Sequence, residues 1–362
     1  MASKLSLTTF GENVFGEFVT NTQSINKYLA SSSVGEVAVS SGDHHSVIRC
    51  RDLIFAVGSN FFGQLALGKS VKQADLNVIE YFNQHQIKVK NIICKYNQTF
   101  FLTDVGEVFV VGFNEECNLG FKSKESNIYD PTKVCGCLEG KVITKIAVGR
   151  YHCLMLDANH RVFVSGQQDK GQLFLTTSHR RTSNIIENDV MTKHAIDDIE
   201  CGQFFSVAFS ASQLKLFVGG VVAGSKKPLF EEYDLNELIG FNDNFPFPYI
   251  SVSISCCNNC FIIRAFCEHK LFMEEDVFLK WDGTGMYELS DVVAKTIREQ
   301  ILRITTGPKA IAFVTNSGRI YLQEGEFPEN KINPTLVFIT VSHSSVLEAL
   351  TEKGVIMITK TS

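Results

Sequence analysis

Short apolar runs recur along the whole chain, each strand-sized and each closed by a glycine or a polar turn. Leu53 to Val57 and Val108 to Val111 are examples. Within such runs the period-two alternation is blurred: Val108 and Val110 alternate with Phe109 and Val111, so both sets are apolar. That is the mark of strands packed on both faces. Residues 288–300 differ, with helical spacing at Val292, Val293 and Ile297 that predicts a short helix.

The runs are organised by two alternating signatures. The first, Gly-x-Asn-x-x-Gly-Gln-Leu after a short strand, reads GENVFGEF from Gly11, GSNFFGQL from Gly58, GFNEECNL from Gly112 and GQQDKGQL from Gly166. The leading glycines are 47, 54 and 54 residues apart; the same offset then falls on Gly220, Glu275 and Glu324. The second is an apolar strand, Gly, two residues, a small residue or His, and another apolar strand. It is clearest at Val37 to Ile48, Ile143 to Leu156 and Ile196 to Phe209, and its seven anchors lie at 42, 95, 149, 202, 257, 307 and 342. A period of about 52 residues holds one four-stranded sheet.

The chain opens on the first half-signature alone and closes on the second alone. Pairing residues 5–18 with 335–360 would complete a seventh unit and remove the exposed edges of an open array. The expected fold is therefore all-β, a single seven-bladed β-propeller over residues 1–362, closed by its N- and C-terminal strands. Its units lie near 35–88, 89–141, 142–194, 195–249, 250–300 and 301–334, with 335–362 completed by 1–34.

Gly58, Gly63, Gly112, Gly166 and Gly171, with Gly11 at the first copy, are assigned to turns needing positive φ or close approach. Asn13, Asn60 and Asn114 are expected to bond their own turn backbone. His45 and His152 share the repeat's His position, where a buried, satisfied imidazole is the favoured reading over catalysis.

Composition narrows the function. With 44% hydrophobic residues and a net charge of −5, the chain can offset its ordering entropy by burial, which excludes disorder. No apolar run approaches a membrane span of about 18 residues. The segment MASKLSLTTF lacks the apolar core of a secretory signal. With 34 basic against 39 acidic residues, no direct grip on nucleic acid is expected. The odd count of 11 cysteines reads as thiols in an intracellular protein, cytoplasmic or nuclear.

Cys256, Cys257 and Cys260, with Cys267 and His269 downstream and Cys135 and Cys137 elsewhere, resemble part of a zinc ligand set. Cys257 and Cys260 fall on the Gly and His positions of the repeat, so packing is preferred; no metal and no cofactor are expected. A phosphate-binding Gly-x-x-x-x-Gly-Lys loop and a Gly-x-Ser-x-Gly elbow are both missing. The irregular stretch 221–249 ends in FNDNFPFPY, where Pro246 and Pro248 stiffen a run of aromatics. Phe241, Phe245, Phe247 and Tyr249 are accordingly the candidate partner anchors.

The paired signatures resemble the regulator of chromosome condensation repeat, by period along the entire chain and by motif over about half of it. The family's usual Trp before the glycine is here Phe10, Val57, Val111 or Ser165. The resemblance implies a rigid, monomeric disc that binds a protein partner without covalent chemistry. It also implies an alternative, guanine-nucleotide exchange on a Ran-like small GTPase, the founding member's activity. That founder reaches chromatin through a basic tail, whereas residues 1–30 contain only Lys4 and Lys27. No exchange residue is matched position by position.

Overall fold

The computed structural model describes residues 4–11, 23–29, 37–176, 180–222, 229–239, 250–258, 260–269, 273–281, 286–288, 290, 293, 297–306, 310–315, 319–324, 335–339, 347–350 and 354–361. Its described strands form seven antiparallel sheets, six of four strands and one of three. Six sheets are built from consecutive strands, spanning residues 37–78, 89–133, 143–187, 198–234, 250–288 and 301–339 in turn. The three-stranded sheet joins Leu347–Leu350 and Gly354–Thr361 to Lys4–Gly11, with Lys4 opposite Thr361 and Gly11 opposite Gly354. The first strands of successive sheets touch one another in order, and Leu347–Leu350 touches both Ile301–Thr306 and Val37–Ser41.

Burial explains why the second strand of each sheet reads as uninterrupted apolar sequence. Gln98–Thr103, His152–Asp157 and Phe205–Ser210 are buried at every position, whereas the fourth strands, such as Arg181–Glu187, are mostly exposed or half-exposed. Side-chain parity then decides which neighbour each residue meets. Phe101 packs with Val47 and Ala56 of the first sheet, while Phe100 and Leu102 pack with Val148 and Met155 of the third. Leu154 and Val164 meet Ala208 and Phe217, and Phe205 and Val207 meet Cys256 and Phe261. Each core is thus a layer between consecutive sheets, and a middle strand contributes to two layers at once.

The crossover between sheets closes each layer with an apolar plug from a short helical segment: Phe82 from Tyr81–Gln84, Leu138 from the 3-10 turn Gly136–Leu138, Met191 from Asp189–Thr192 and Leu235 from Leu235–Ile239. Val293 and Ile297, both helical, do the same between the fifth and sixth sheets. At the amino-terminal side, Ile25 and Leu29 of the helix Gln23–Leu29 cover Ile48, Phe55 and Val57 on the face of the first sheet opposite the one packed against the second.

Two expectations need correction. Thr335–Ile339, assigned from sequence to the last unit, pairs with Arg319–Glu324 as the fourth strand of the sixth sheet. Inner and outer strands are both short apolar runs, and the turn glycine that would separate them is lost at Glu324. Glu275 is also not the counterpart of the leading glycines. Gly220 lies opposite Phe205 and Glu324 opposite Ala310, both at the open end of the hairpin away from its connecting turn, whereas Glu275 faces Cys267 near that turn. Phe261–His269 and Met273–Trp281 run nine residues each, against six in the neighbouring sheet, so a constant offset misses the hairpin's end.

Candidate interaction face

Two kinds of polar latch join the sheets at the end where the repeat turns lie. The first comes from the His position. His45 Nε2 shares a 2.8 Å hydrogen bond with Thr99 Oγ1 of the next sheet, and His152 Nε2 a 2.9 Å bond with Ser206 Oγ. Gln98 fills the equivalent place in the second sheet and donates through Nε2 to the carbonyls of Gly149 and Arg150, at 3.2 and 3.0 Å. The second latch is backbone to backbone: Asp43 N donates to Tyr96 O, Arg150 N to Gln203 O and Gln203 N to Asn258 O. Every backbone donor and acceptor in these turns is an obligatory hydrogen-bonding group, so linking turn to turn fixes them as one surface.

Both histidines are fully buried, and burial drives each imidazole from 6.5 down to about 3. Stability held by such a group is complete above the unfolded value of 6.5 and is lost as the pH falls toward the folded value. Between about pH 7 and pH 5 each histidine should therefore lower the unfolding free energy by about 2 kcal/mol. Urea titrations at both pH values test this. His152→Gln, which adopts the residue type found at position 98, should remove half of that loss; an unchanged pH difference would show that His152 is not buried as the neutral form.

The repeat asparagines act on their own turns. Asn60 Oδ1 accepts from Leu65 N at 2.8 Å while its Nδ2 donates to Gly68 O and Val71 O. Asn114 does the same toward Leu119 N and Phe121 O, and Gln168 toward Leu173 N and Leu175 O. Gly58, Gly63, Gly112, Gly166 and Gly171 all have positive φ. Gly11 pairs with Gly354, and Asn13 lies outside the described residues. These groups build the face.

On that face lies a row of half-buried rings from four consecutive sheets. Phe62 meets Phe113 edge to face at 5.7 Å between centroids, Phe113 lies 6.2 Å from Tyr151, and Tyr151 6.1 Å from Phe204. The exposed Arg150 sets its guanidinium 5.7 Å from the Tyr151 ring. Sequence reasoning missed this row. Its signal was positional: Phe62 lies inside the first signature, Phe113 directly after its glycine, and Tyr151 and Phe204 directly before the His position. The anchors chosen instead, Phe241, Phe245, Phe247 and Tyr249, lie outside the described residues.

Between the first strands of neighbouring sheets, Lys145 of Ile143–Val148 pairs with Asp198 and Glu200, and Lys95 of Val89–Lys95 pairs with Glu200 at 3.7 Å. Burial works against the Lys145 charge, but Glu200 and Asp198 outweigh it and hold the ammonium above its ordinary value. These charges cancel one another across three sheets and form a structural knot rather than an acid–base pair.

Elsewhere, a cleft of about 390 Å³ opens where the crossover plug is only Leu138, between Val108, Val134 and the exposed Val105 and Val142. Its rim carries the ion pair Lys133–Glu107 at 2.6 Å. Among the described residues, no group of three His, Cys, Asp or Glu is placed to hold a metal. The candidate cysteines are scattered: Cys135 and Cys137 lie within a crossover, Cys257 and Cys260 occupy a turn, and Cys267 and His269 lie toward the far end of Phe261–His269. Burial pushes the Cys94 and Cys201 thiols up to about 12, which silences them as nucleophiles. Among the described residues no helix is long and apolar enough to cross a membrane.

Comparison with known proteins gives the geometry a family. Profiles of the regulator of chromosome condensation (RCC1) repeat match residues 105–156 and 143–172. The probable E3 ubiquitin-protein ligase HERC4 of Homo sapiens is 27% identical over 263 residues, 70% of this chain but 23% of that protein. Protein RCC2 of Mus musculus is 27% identical over 166 residues, 45% of this chain and 30% of that one. The chain thus spans under a third of the length of the curated relatives it matches. Among solved structures, Prp20p from Saccharomyces cerevisiae superposes with a TM-score of 0.69 at 17% identity, covering 100% of this chain and 93% of that one. Human WBSCR16 reaches 0.53 at 20% identity, covering 90% and 72%. At those identities the likeness establishes the propeller-type fold and nothing finer. Over residues 105–172 the chain therefore carries regulator of chromosome condensation repeats.

Proposed function

We propose that the seven sheets close into one seven-bladed ring and that this disc is a non-catalytic docking platform for a protein partner. The cyclic contacts of the first strands and the pairing of Lys4–Gly11 with Gly354–Thr361 support closure. The observation that carries the docking reading is the aromatic row Phe62, Phe113, Tyr151 and Phe204 with Arg150 beside it. Aromatic and arginine side chains supply most of the energy of interface hot spots, and turns latched in advance lose little entropy on binding. The platform works as a monomer inside the cell, in cytoplasm or nucleus, without cofactor, metal or direct nucleic-acid contact.

Cross-linked capture with the full chain tests this. Tyr151→Ala and Phe204→Ala should each weaken recovery of the principal partner about 30-fold, the loss typical of one hot-spot residue. Phe230→Ala, which removes an exposed ring from a fourth strand, serves as the control. Undiminished recovery by the double variant would move the docking site elsewhere.

Nucleotide exchange on a Ran-like GTPase is the alternative reading. Prp20p has binding properties to Gsp1p and histones, and these belong to that protein. The ligase activities in the relatives' names likewise belong to proteins mostly outside the matched region. Release of a fluorescent guanine nucleotide from a panel of small GTPases decides it: no acceleration by this chain retires the exchange reading.

A further inference from the structure

The turn between the first two strands of the fifth sheet departs from its counterparts in one chemical respect. In the first, third and fourth sheets this turn is closed by a backbone hydrogen bond from a glycine to the residue three further on: Gly42 N to His45 O, Gly149 N to His152 O and Gly202 N to Phe205 O, at 2.9 to 3.0 Å. The glycine is required because the side chain at the fourth position lies over the first. A Cβ on Gly42, Gly149 or Gly202 would sit 2.4, 2.0 or 1.9 Å from the His45, His152 or Phe205 ring. In the fifth sheet the same bond runs from Cys257 N to Cys260 O at 3.0 Å, and both positions carry a side chain. The turn that in the first, third and fourth sheets presses a ring onto a bare Cα here presses two sulfurs together, with Sγ to Sγ at 2.7 Å.

We infer that Cys257 and Cys260 form a reversible disulfide across this turn, a redox-modification site that takes a low-molecular-weight disulfide as its oxidant. A four-residue turn brings its first and last Cα atoms within about 7 Å, comparable with the roughly 4.4–6.8 Å that a disulfide bridges. Cys257 and Cys260 are 9% and 7% exposed, so oxidised glutathione reaches them as the turn opens locally; one cysteine thiolate then attacks a glutathione sulfur and forms a mixed disulfide, releasing one glutathione thiolate. The second cysteine thiolate then attacks the protein sulfur of that mixed disulfide and expels the other glutathione. The two protons of the cysteine thiols end on the two glutathiones, so the protein dithiol is oxidised by two electrons and the oxidant reduced by two.

The consequence reaches beyond the turn because Asn258, between the two cysteines, is a junction of the face. Its carbonyl accepts from Gln203 N at 2.9 Å, and its Oδ1 accepts from Tyr96 Oη at 3.0 Å, joining the fifth sheet to the fourth and the second. A bond across positions 257 and 260 therefore stiffens the point where three sheets meet. It would form whether or not the aromatic row docks a partner.

The test uses the full folded chain, incubated with oxidised glutathione, alkylated with iodoacetamide without denaturant and digested for mass spectrometry. The peptide carrying Cys257 and Cys260 should be lighter by two hydrogens and carry no alkyl group at either position, with dithiothreitol restoring two. Cys256→Ser should retain the bond, while Cys257→Ser or Cys260→Ser should leave the surviving thiol alkylated or singly glutathionylated. Alkylation of both positions in the oxidised wild-type chain would overturn the inference, as would a bond that uses Cys256 or one that forms only in urea.

Discussion

A chain begun at residue 12 is expected to lose its cooperative unfolding transition and to aggregate, whereas one begun at residue 4 should unfold as the full chain does. Lys4–Gly11 is hydrogen-bonded along its whole length to Gly354–Thr361, and its removal leaves a two-stranded hairpin. An isolated hairpin is marginal in water, and the bared edge offers eight residues of unpaired backbone to another chain. The loss spreads, because Leu347–Leu350 is the element that touches both the first and the sixth sheets. The helix Gln23–Leu29 contacts the same terminal strand while its Ile25 and Leu29 cover the first sheet, so that cover loosens too. With only about 5–15 kcal/mol separating folded from unfolded states of a typical domain, opening one seam can abolish the transition. Chemical denaturation and light scattering on the two truncations make the comparison. Equal midpoints would mean that the terminal strands do not hold the ring, and the proposed closure would fall.

The sequence exposes this architecture where a residue type is forced by backbone geometry, and hides it where any apolar residue will serve. Turn glycines such as Gly58, Gly112 and Gly166 are forced, so the period is readable. The crossover plugs are not: Phe82, Leu138, Met191 and Leu235 do the same work with three kinds of side chain at irregular positions within polar loops. The boundary at Thr335–Ile339 is hidden for the same reason, since an outer and an inner strand look alike once the intervening glycine is gone.

The candidate site is less legible than the fold. Phe62, Phe113, Tyr151 and Phe204 come together only because four turns are stacked side by side, and in a chain with 29 phenylalanines no linear window distinguishes them. Position in the repeat also gives only half of what happens at Cys257 and Cys260. It places them on the Gly and His positions, but the meeting of their sulfurs depends on the i to i+3 closure of the turn, which is a three-dimensional fact.

Gly166→Ala should be among the most damaging single substitutions in the chain, costing about 4 kcal/mol. Two penalties combine. Gly166 has φ +102, a backbone conformation that L side chains rarely adopt, and holding one there costs about 1–3 kcal/mol. Its Cβ would also lie 2.3 Å from the carbonyl oxygen of Tyr151 and 2.7 Å from the Cα of His152. Those are backbone atoms of the adjacent strand and cannot swing aside, so relief requires separating the hairpin, at about 1–3 kcal/mol for overpacking of this kind. Gly140→Ala isolates the first penalty: φ is +70 and nothing lies within 4 Å, so about 1 kcal/mol is expected. Urea midpoints of the two variants should therefore differ severalfold in their displacement from wild type. Equal displacements would show that the strand relaxes around the new methyl group, and that close approach is not what demands glycine at the head of each repeat turn. The same contact recurs at Gly112 against Asn97 O and at Gly220 against Phe204 O, so one substitution measures a constraint built into three sheets. Because Tyr151 and Phe204 supply two of those carbonyls, separating the hairpins would also displace two rings of the aromatic row. Gly166→Ala and Gly220→Ala should accordingly weaken partner capture even under conditions where the chain remains folded.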